Sequence, residues 1–249
     1  MLPDLLLPVG PAQMLILHQY HLSPYNEKVR RMLNAKGIPY QEKYWLLGER
    51  KKVRAFNPTG KLPALEHDGE MICDSTDVVH YIERNFPGTP MIPADPQQRA
   101  MVHVLEDWAD ESLYFYEMHL RFTTPGNRER NMPRMVEHES PFLRWLLPKV
   151  VPAGIEKITA NQGIGRKSIE QLVVDVERHV QAVNDLLGDG QWLVGSELSL
   201  ADLGVYAMFQ ALRDADMATE VMQRYPPVLS WMGRLESATA QAGETSAAE

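Results

Sequence analysis

Asn57-Pro58-Thr59-Gly60-Lys61-Leu62-Pro63-Ala64-Leu65-Glu66-His67-Asp68-Gly69-Glu70-Met71-Ile72-Cys73-Asp74-Ser75 is the stretch on which the fold turns. Asp68-Gly69 sits between two apolar runs, Leu62–His67 and Glu70–Cys73, and Asp-Gly so flanked is a strong short hairpin signal. Pro63 has no N–H to give a ladder, which places it at a strand start or in a turn. Asn57-Pro58-Thr59-Gly60 stops whatever precedes it. Asp74-Ser75 supplies cap chemistry for a following helix. That helix, Ser75–Phe86, carries Val78, Val79, Ile82 and Phe86 on one side.

Upstream, Met14-Leu15-Ile16-Leu17-His18 is apolar enough for a buried strand. Ser23-Pro24 opens a helix, Ser as cap and Pro at its favoured first position. Val29, Met32, Leu33 and Lys36 follow at helical spacing, and Gly37 ends it. Tyr40–Leu46 reads as a second strand and Glu49–Phe56 as a short basic helix. The order is β-α-β-α-β-β-α, an α/β unit whose hairpin makes the sheet mixed, with helices on both faces. Met1–Gln13 holds Leu5-Leu6-Leu7 but also Asp4 and three prolines, so it reads as an extension ahead of the first strand, a poor signal peptide.

Downstream, Pro87–Pro96 has four prolines in ten residues and reads as a linker. Beyond it the periodicity is helical: Gln97–Phe122, Ser168–Leu187, Leu200–Arg213 and Pro227–Ser237. Thr123–Lys167, punctuated by Pro and Gly, shows no clear pattern. Ala238–Glu249 is small and polar, the composition of a disordered tail. Two domains are therefore expected, 13–88 (α/β) and 97–237 (all-α).

Composition narrows the function classes. With 44% hydrophobic and 23% charged residues, 249 residues can bury a real core. No run approaches the roughly 18 apolar residues of a membrane span. A net charge of −8 argues against general nucleic-acid binding. The charge is uneven, nine Lys/Arg against four Glu over 121–167 and four Arg against thirteen acids over 168–249. The basic stretch is either a solvated loop or a surface that draws an anionic substrate to a cleft. Cys73 stands alone, so no internal disulfide forms, which suits a reducing, cytoplasmic setting. His18-x-x-His21 has no further ligands around it, so no metal site is expected.

Three local patterns together resemble the glutathione S-transferase family. The first is Ser23-Pro24-Tyr25-Asn26-Glu27-Lys28-Val29-Arg30 after the first strand. The second, and most specific, is Asn57–Leu65 running through the hairpin to Asp74-Ser75. The third is Trp192-Leu193-Val194-Gly195 with Ser199-Leu200-Ala201-Asp202, where Ser199 and Asp202 also spell a capping box. They span roughly residues 14–235. The resemblance implies a thioredoxin-like domain holding glutathione as co-substrate, a helical bundle domain, and a homodimer.

It also implies roles. Leu62-Pro63 would be a cis bond, with the Leu62 backbone pairing to glutathione as an added strand; the alternative is a purely structural turn. Asp74 and Ser75 would take the γ-glutamyl end, Ser75 at a helix N-terminus suited to a carboxylate and Asp74 facing the ammonium group; the alternative is simple capping. Lys61 is expected at the glycyl carboxylate, as is a basic residue of Glu49–Arg54 unless that helix is merely solvated. Ser23 stands at the thiol-activating position, with Tyr25, Asn26 and Tyr20 as fallback donors and an N-cap role as the alternative. Serine in place of cysteine argues against mixed-disulfide chemistry. The second substrate is expected to be a small hydrophobic electrophile held against Gln97–Phe122, where Trp108, Tyr114, Phe115, Tyr116 and His119 could line its pocket and Thr123–Lys167 roof it. Glu106, Asp107, Asp110 and Glu111 read as a solvated or dimer-facing stripe. A non-catalytic glutathione-binding protein is the competing function.

Overall fold

A computed structural model describes residues 15–241. The first domain runs β1 (Leu15–Tyr20), α1 (Pro24–Ala35), β2 (Tyr40–Trp45), α2 (Arg50–Phe56), β3 (Ala64–His67), β4 (Glu70–Cys73) and α3 (Ser75–Asn85). The sheet order is β2-β1-β3-β4, with β1 parallel to β2 and antiparallel to β3. The mixed sheet is the one the hairpin demanded. Asp68 and Gly69 both have positive φ, 51° and 85°, the backbone that a two-residue hairpin turn requires.

Alternation along β1 divides the core. Leu15 and Leu17 join Val29, Met32, Val78 and Ile82 under α1 and α3. Across the sheet, Val53 of α2 packs with Leu62 and Ala64, fringed by Tyr20, Trp45 and Phe56. His18 lies on that side too, buried, with Trp45 Nε1 donating to its Nδ1 at 3.0 Å and Glu66 at 2.9 Å from its Nε2. The core beneath α1 and α3 continues without a break into the second domain.

That domain comprises α4 (Pro96–Trp108), α5 (Tyr114–Phe122), α6 (Asn127–Met135), α7 (Pro141–Gln162), α8 (Ile169–Leu187), α9 (Leu200–Leu212), α10 (Asp216–Gln223) and α11 (Pro226–Ala238). Between α4 and α5, Ala109–Leu113 forms one turn of π-helix, so the expected single helix is two joined by a bulge. Almost every residue of α9 is buried, as its apolar circumference requires. Asp202 is fully buried there and accepts from the Leu193 and Ser199 N–H groups, the Ser199 hydroxyl and the Trp231 indole. The capping box therefore works through its Asp half, and it also pins α11.

Two expectations need correction, and the linker reading gains a detail. Thr123–Lys167 is not loop: α6 and α7 occupy most of it despite Pro133, Pro148 and Pro152 inside them. The Pro-rich linker is anchored, since the Met91 N–H donates to Glu83 and its carbonyl accepts from Leu200. The chain does not loosen at Ala238, which ends α11; Thr239 is buried and receives Arg31 on its hydroxyl at 3.0 Å. The expected N-terminal extension and the remainder of the tail, residues 242–249, lie outside the described residues.

Candidate active site

The β1–α1 loop presents Ser23 at the N-cap of α1, followed by Pro24. Its side chain makes no capping bond. Ser23 lines a cavity of about 400 Å³ between the two domains. Leu22, just before it, holds a left-handed φ of 61° that costs a non-glycine residue free energy. Its carbonyl accepts from Arg121 of α5 at 3.4 Å. Arg121 is buried and held by Glu117 at 2.8 Å and Asp214 at 3.1 Å. The helical domain thus grips the loop that carries Ser23, a link that the i,i+4 spacing of Glu117 and Arg121 could have signalled.

Lys61 and Leu62 border the same cavity, and Leu62-Pro63 is cis. Gly60 has φ 64°, and a side chain there would meet Arg54 at 2.9 Å, so the Asn57–Gly60 turn has room only for glycine. Arg50 of α2 supplies a second cation at the cavity wall. Asp74 and Ser75 are not among the lining residues; they stand at the α3 N-terminus beyond Leu62. Asp74 has φ 82°, strain worth about 1–3 kcal/mol. Its carboxylate accepts from the Thr76 N–H at 2.9 Å, so its capping role is real.

The fallback donors sit differently. Asn26 is buried and its amide donates to the Tyr20 carbonyl, which turns it away from the cavity. Tyr25 borders the cavity, but its hydroxyl donates to the Asp110 carbonyl at 2.8 Å and burial drives its pKa far up. Tyr20 points at the Gly60 carbonyl, 3.4 Å away, and burial raises its pKa as well. Cys73 donates weakly to the Phe56 carbonyl, and burial pushes its thiol up, the opposite of a reactive cysteine.

The acidic stripe is not solvated as a whole. Glu106 and Asp110 are buried and enclose Lys28 of α1, itself fully buried, at 2.7 and 2.5 Å. The Thr76 hydroxyl donates to Glu106 at 2.7 Å. Burial and the neighbouring Glu106 charge push Asp110 up to about 6, although Lys28 opposes the shift. Burial disfavours the Lys28 charge, yet its two carboxylates outweigh that and raise its pKa. Asp107 and Glu111 alone fit the solvated reading.

The cavity's far wall is apolar. Tyr114, Phe115, Met118 and Phe122 come from α5, and Met135, Ile155 and Ile158 from the α6–α7 segment. The segment expected as a roof therefore does line the cavity. Trp108, Tyr116 and His119 do not: the first two pack on His179 and His119 bonds Thr159. His138, exposed, and Glu139, buried, also line the cavity; they lie in a connection with no periodic signal in the sequence.

Residues 17–90 match the model of the glutathione S-transferase N-terminal domain, and residues 166–234 that of the C-terminal domain. The chain belongs to the glutathione S-transferase family. A glutathione S-transferase of Pseudomonas putida is 33% identical over 92 residues, which cover 37% of this chain and 42% of that protein, less than half its length. Protein LigF of a Sphingobium species is 26% identical over 194 residues, covering 74% of this chain and 73% of LigF. The crystal structure of the beta-etherase LigF aligns over 90% of this chain and 95% of its own with a TM-score of 0.65. A transferase of Methylobacillus flagellatus, solved with glutathione bound, aligns over 90% and 98% with a TM-score of 0.62 at 22% identity. The family fold spans both domains, and the three sequence patterns all fall within that likeness.

Proposed function

We propose that this chain is a glutathione transferase, a cytoplasmic homodimer that ionises the glutathione thiol beside Ser23 and directs it at a small apolar electrophile in the adjoining cavity. The observation that carries this reading is Ser23 itself: an N-cap residue whose side chain makes no capping bond and which lines the cavity.

A thiol of pKa about 8.5 is only about 3% ionised at pH 7. Lowering that pKa by about two units takes roughly 2.7 kcal/mol and gives about three-quarters thiolate. A hydroxyl donating to sulfur at the positive end of α1 is suited to supply this. The tripeptide lies, in this reading, along Leu62, with its glycyl carboxylate towards Lys61 or Arg50. Its γ-glutamyl carboxylate meets the α3 N-terminus at Ser75, and its ammonium group meets Asp74. The strained φ of Asp74 supports a functional role for that corner. Aromatic and thioether side chains opposite Ser23 suit an apolar, flat second substrate. Tyr25 supports the reading as a wall, and Asn26 as a brace for the loop.

Calorimetry tests the glutathione half: Asp74→Ala with Ser75→Ala should weaken binding by at least about tenfold, the scale of one lost charge-assisted contact. Wild-type protein that shows no binding at millimolar glutathione would refute it. Light scattering at micromolar concentration should give about twice 28.3 kDa; a clean monomer contradicts the dimer.

A further inference from the structure

The first turns of α7 present aromatic side chains to solvent. Phe142 is 65% exposed and Trp145 59%, with their ring centroids 6.2 Å apart. Among the described residues they are the exposed members of a Phe/Trp set that is otherwise buried or half-buried. Lys149, one turn further along, sets its Nζ 3.5 Å from the centre of the Trp145 ring. Positions i, i+3 and i+7 share one stripe of a helix, so the two rings and the cation form one surface.

Charge is concentrated around that stripe. Residues 43–54 and 141–157 hold eight Lys/Arg against two Glu, in a chain whose net charge is −8. The two segments adjoin. Glu139, just before α7, accepts from the Leu47 and Gly48 N–H groups, and Leu143 packs so closely on Gly48 that a Cβ there would meet its Cδ1 at 2.6 Å. Among the described residues Lys52 alone of the eight is ion-paired, with Glu49, whereas twelve of the seventeen other cations are paired. No helix among the described residues is long and apolar enough to cross a membrane. Exposed Trp and Phe flanked by unpaired Lys and Arg suit a helix that lies on a membrane surface.

We propose that this face seats the chain on an anionic lipid bilayer, with Phe142 and Trp145 entering the headgroup–acyl boundary and the cations of α2 and α7 lying over the lipid headgroups. Charge complementarity selects that occupant. A second copy is disfavoured, because a two-fold contact would set these cations against themselves. Two aromatic side chains also fall well short of the roughly 800 Å² per partner of a stable interface. An acidic protein would need carboxylates at fixed places, whereas these cations are spread over two elements, a field that mobile anionic headgroups match. The same helix lines the cavity through Ile155 and Ile158. On the reading above, the seat brings that cavity to the phase in which apolar electrophiles concentrate; the lipid contact itself does not depend on that reading.

The test is co-sedimentation of the full chain with vesicles of phosphatidylcholine alone and of phosphatidylcholine with about 30% phosphatidylserine. Apparent affinity should be at least about tenfold higher for the anionic vesicles at about 0.1 M salt, and should fall at least about tenfold at about 0.5 M. Lipid brominated in its acyl chains should quench tryptophan fluorescence, and Trp145→Phe should remove most of that quenching. Phe142→Ser with Trp145→Ser should weaken vesicle binding about tenfold or more. Thermal unfolding and glutathione turnover should stay unchanged in that variant, since both side chains are exposed and neither lines the cavity. No binding to the anionic vesicles, or binding that survives loss of the aromatic pair, overturns the proposal. Polyglutamate bound as tightly as the vesicles, with no acyl-chain quenching, also overturns it and assigns the face to an acidic protein. Wild-type protein that binds vesicles but not glutathione would contradict the enzymatic reading alone.

Discussion

Where α1 and α3 meet the helical domain, a lysine and two carboxylates are buried together, Lys28 between Glu106 and Asp110, with Thr76 bonded to the same pair. Where the first domain meets α6 and α7, the contacts are the stacked rings of Tyr44, His21 and His138 and the hold of Glu139 on the Leu47 N–H. Directional, low-dielectric charge pairs have one good geometry, whereas ring stacking and apolar packing tolerate many. The first junction sets the place of Ser23 and of Asp74-Ser75, where a constant tripeptide is proposed to bind. The second sets the apolar wall, where the variable substrate would sit.

The largest expected effect breaks the first junction. Lys28→Met leaves two buried carboxylates without their cation and should cost about 3–5 kcal/mol in urea unfolding. His138→Ala removes a rim stacking contact and should cost under about 1 kcal/mol. Equal losses would erase the distinction between the junctions.

A smaller effect is pH-dependent. The Asp110 pKa is raised to about 6 in the folded chain, so the folded state holds that proton over a range where the unfolded chain has released it. Its contribution to stability is therefore complete below the unfolded value near 4 and is lost as pH rises through about 6. Asp110→Asn should flatten the wild-type fall in stability between pH 4.5 and 7 by roughly 1–2 kcal/mol. Parallel pH profiles for the two proteins would show that Asp110 does not titrate in this window.

The smallest effect sharpens the comparison on the roof side. Phe115→Ala should raise KM for an apolar electrophile about 3- to 10-fold through lost burial, with the Kd for glutathione changed by less than about twofold. A matching loss of glutathione affinity would mean the two walls are not independent.

The same contrast governs what the sequence discloses. The first domain is legible because its signals are local: Asp68-Gly69 dictates a hairpin, Ser23-Pro24 a helix start, and Gly37 its end. The α6–α7 segment is illegible because its helices form against their own propensities. Pro148 and Pro152 lie inside α7, and what holds it is tertiary, Ile155 and Thr159 buried against α5 and its neighbours. The buried Lys28 cluster was hidden for another reason. A Lys on α1, an acid on α4 and another in the π-turn after it are each ordinary surface residues until packing brings them within 2.7 Å. Ser23, Lys61, Leu62 and Tyr25 line one cavity, whereas nothing local announced that Asn26 is buried on the Tyr20 carbonyl or that His138 reaches the same cavity.

The central claim is that the Ser23 hydroxyl stabilises a thiolate, and the most direct measurement is the ultraviolet thiolate absorbance of the glutathione complex across pH, in wild type and Ser23→Ala. The account predicts a curve displaced by about 1–2 pH units to higher pH in Ser23→Ala, with turnover reduced about 10- to 100-fold and glutathione affinity nearly unchanged. Superimposable titration curves would contradict it, and would leave Ser23 no more than the residue before Pro24.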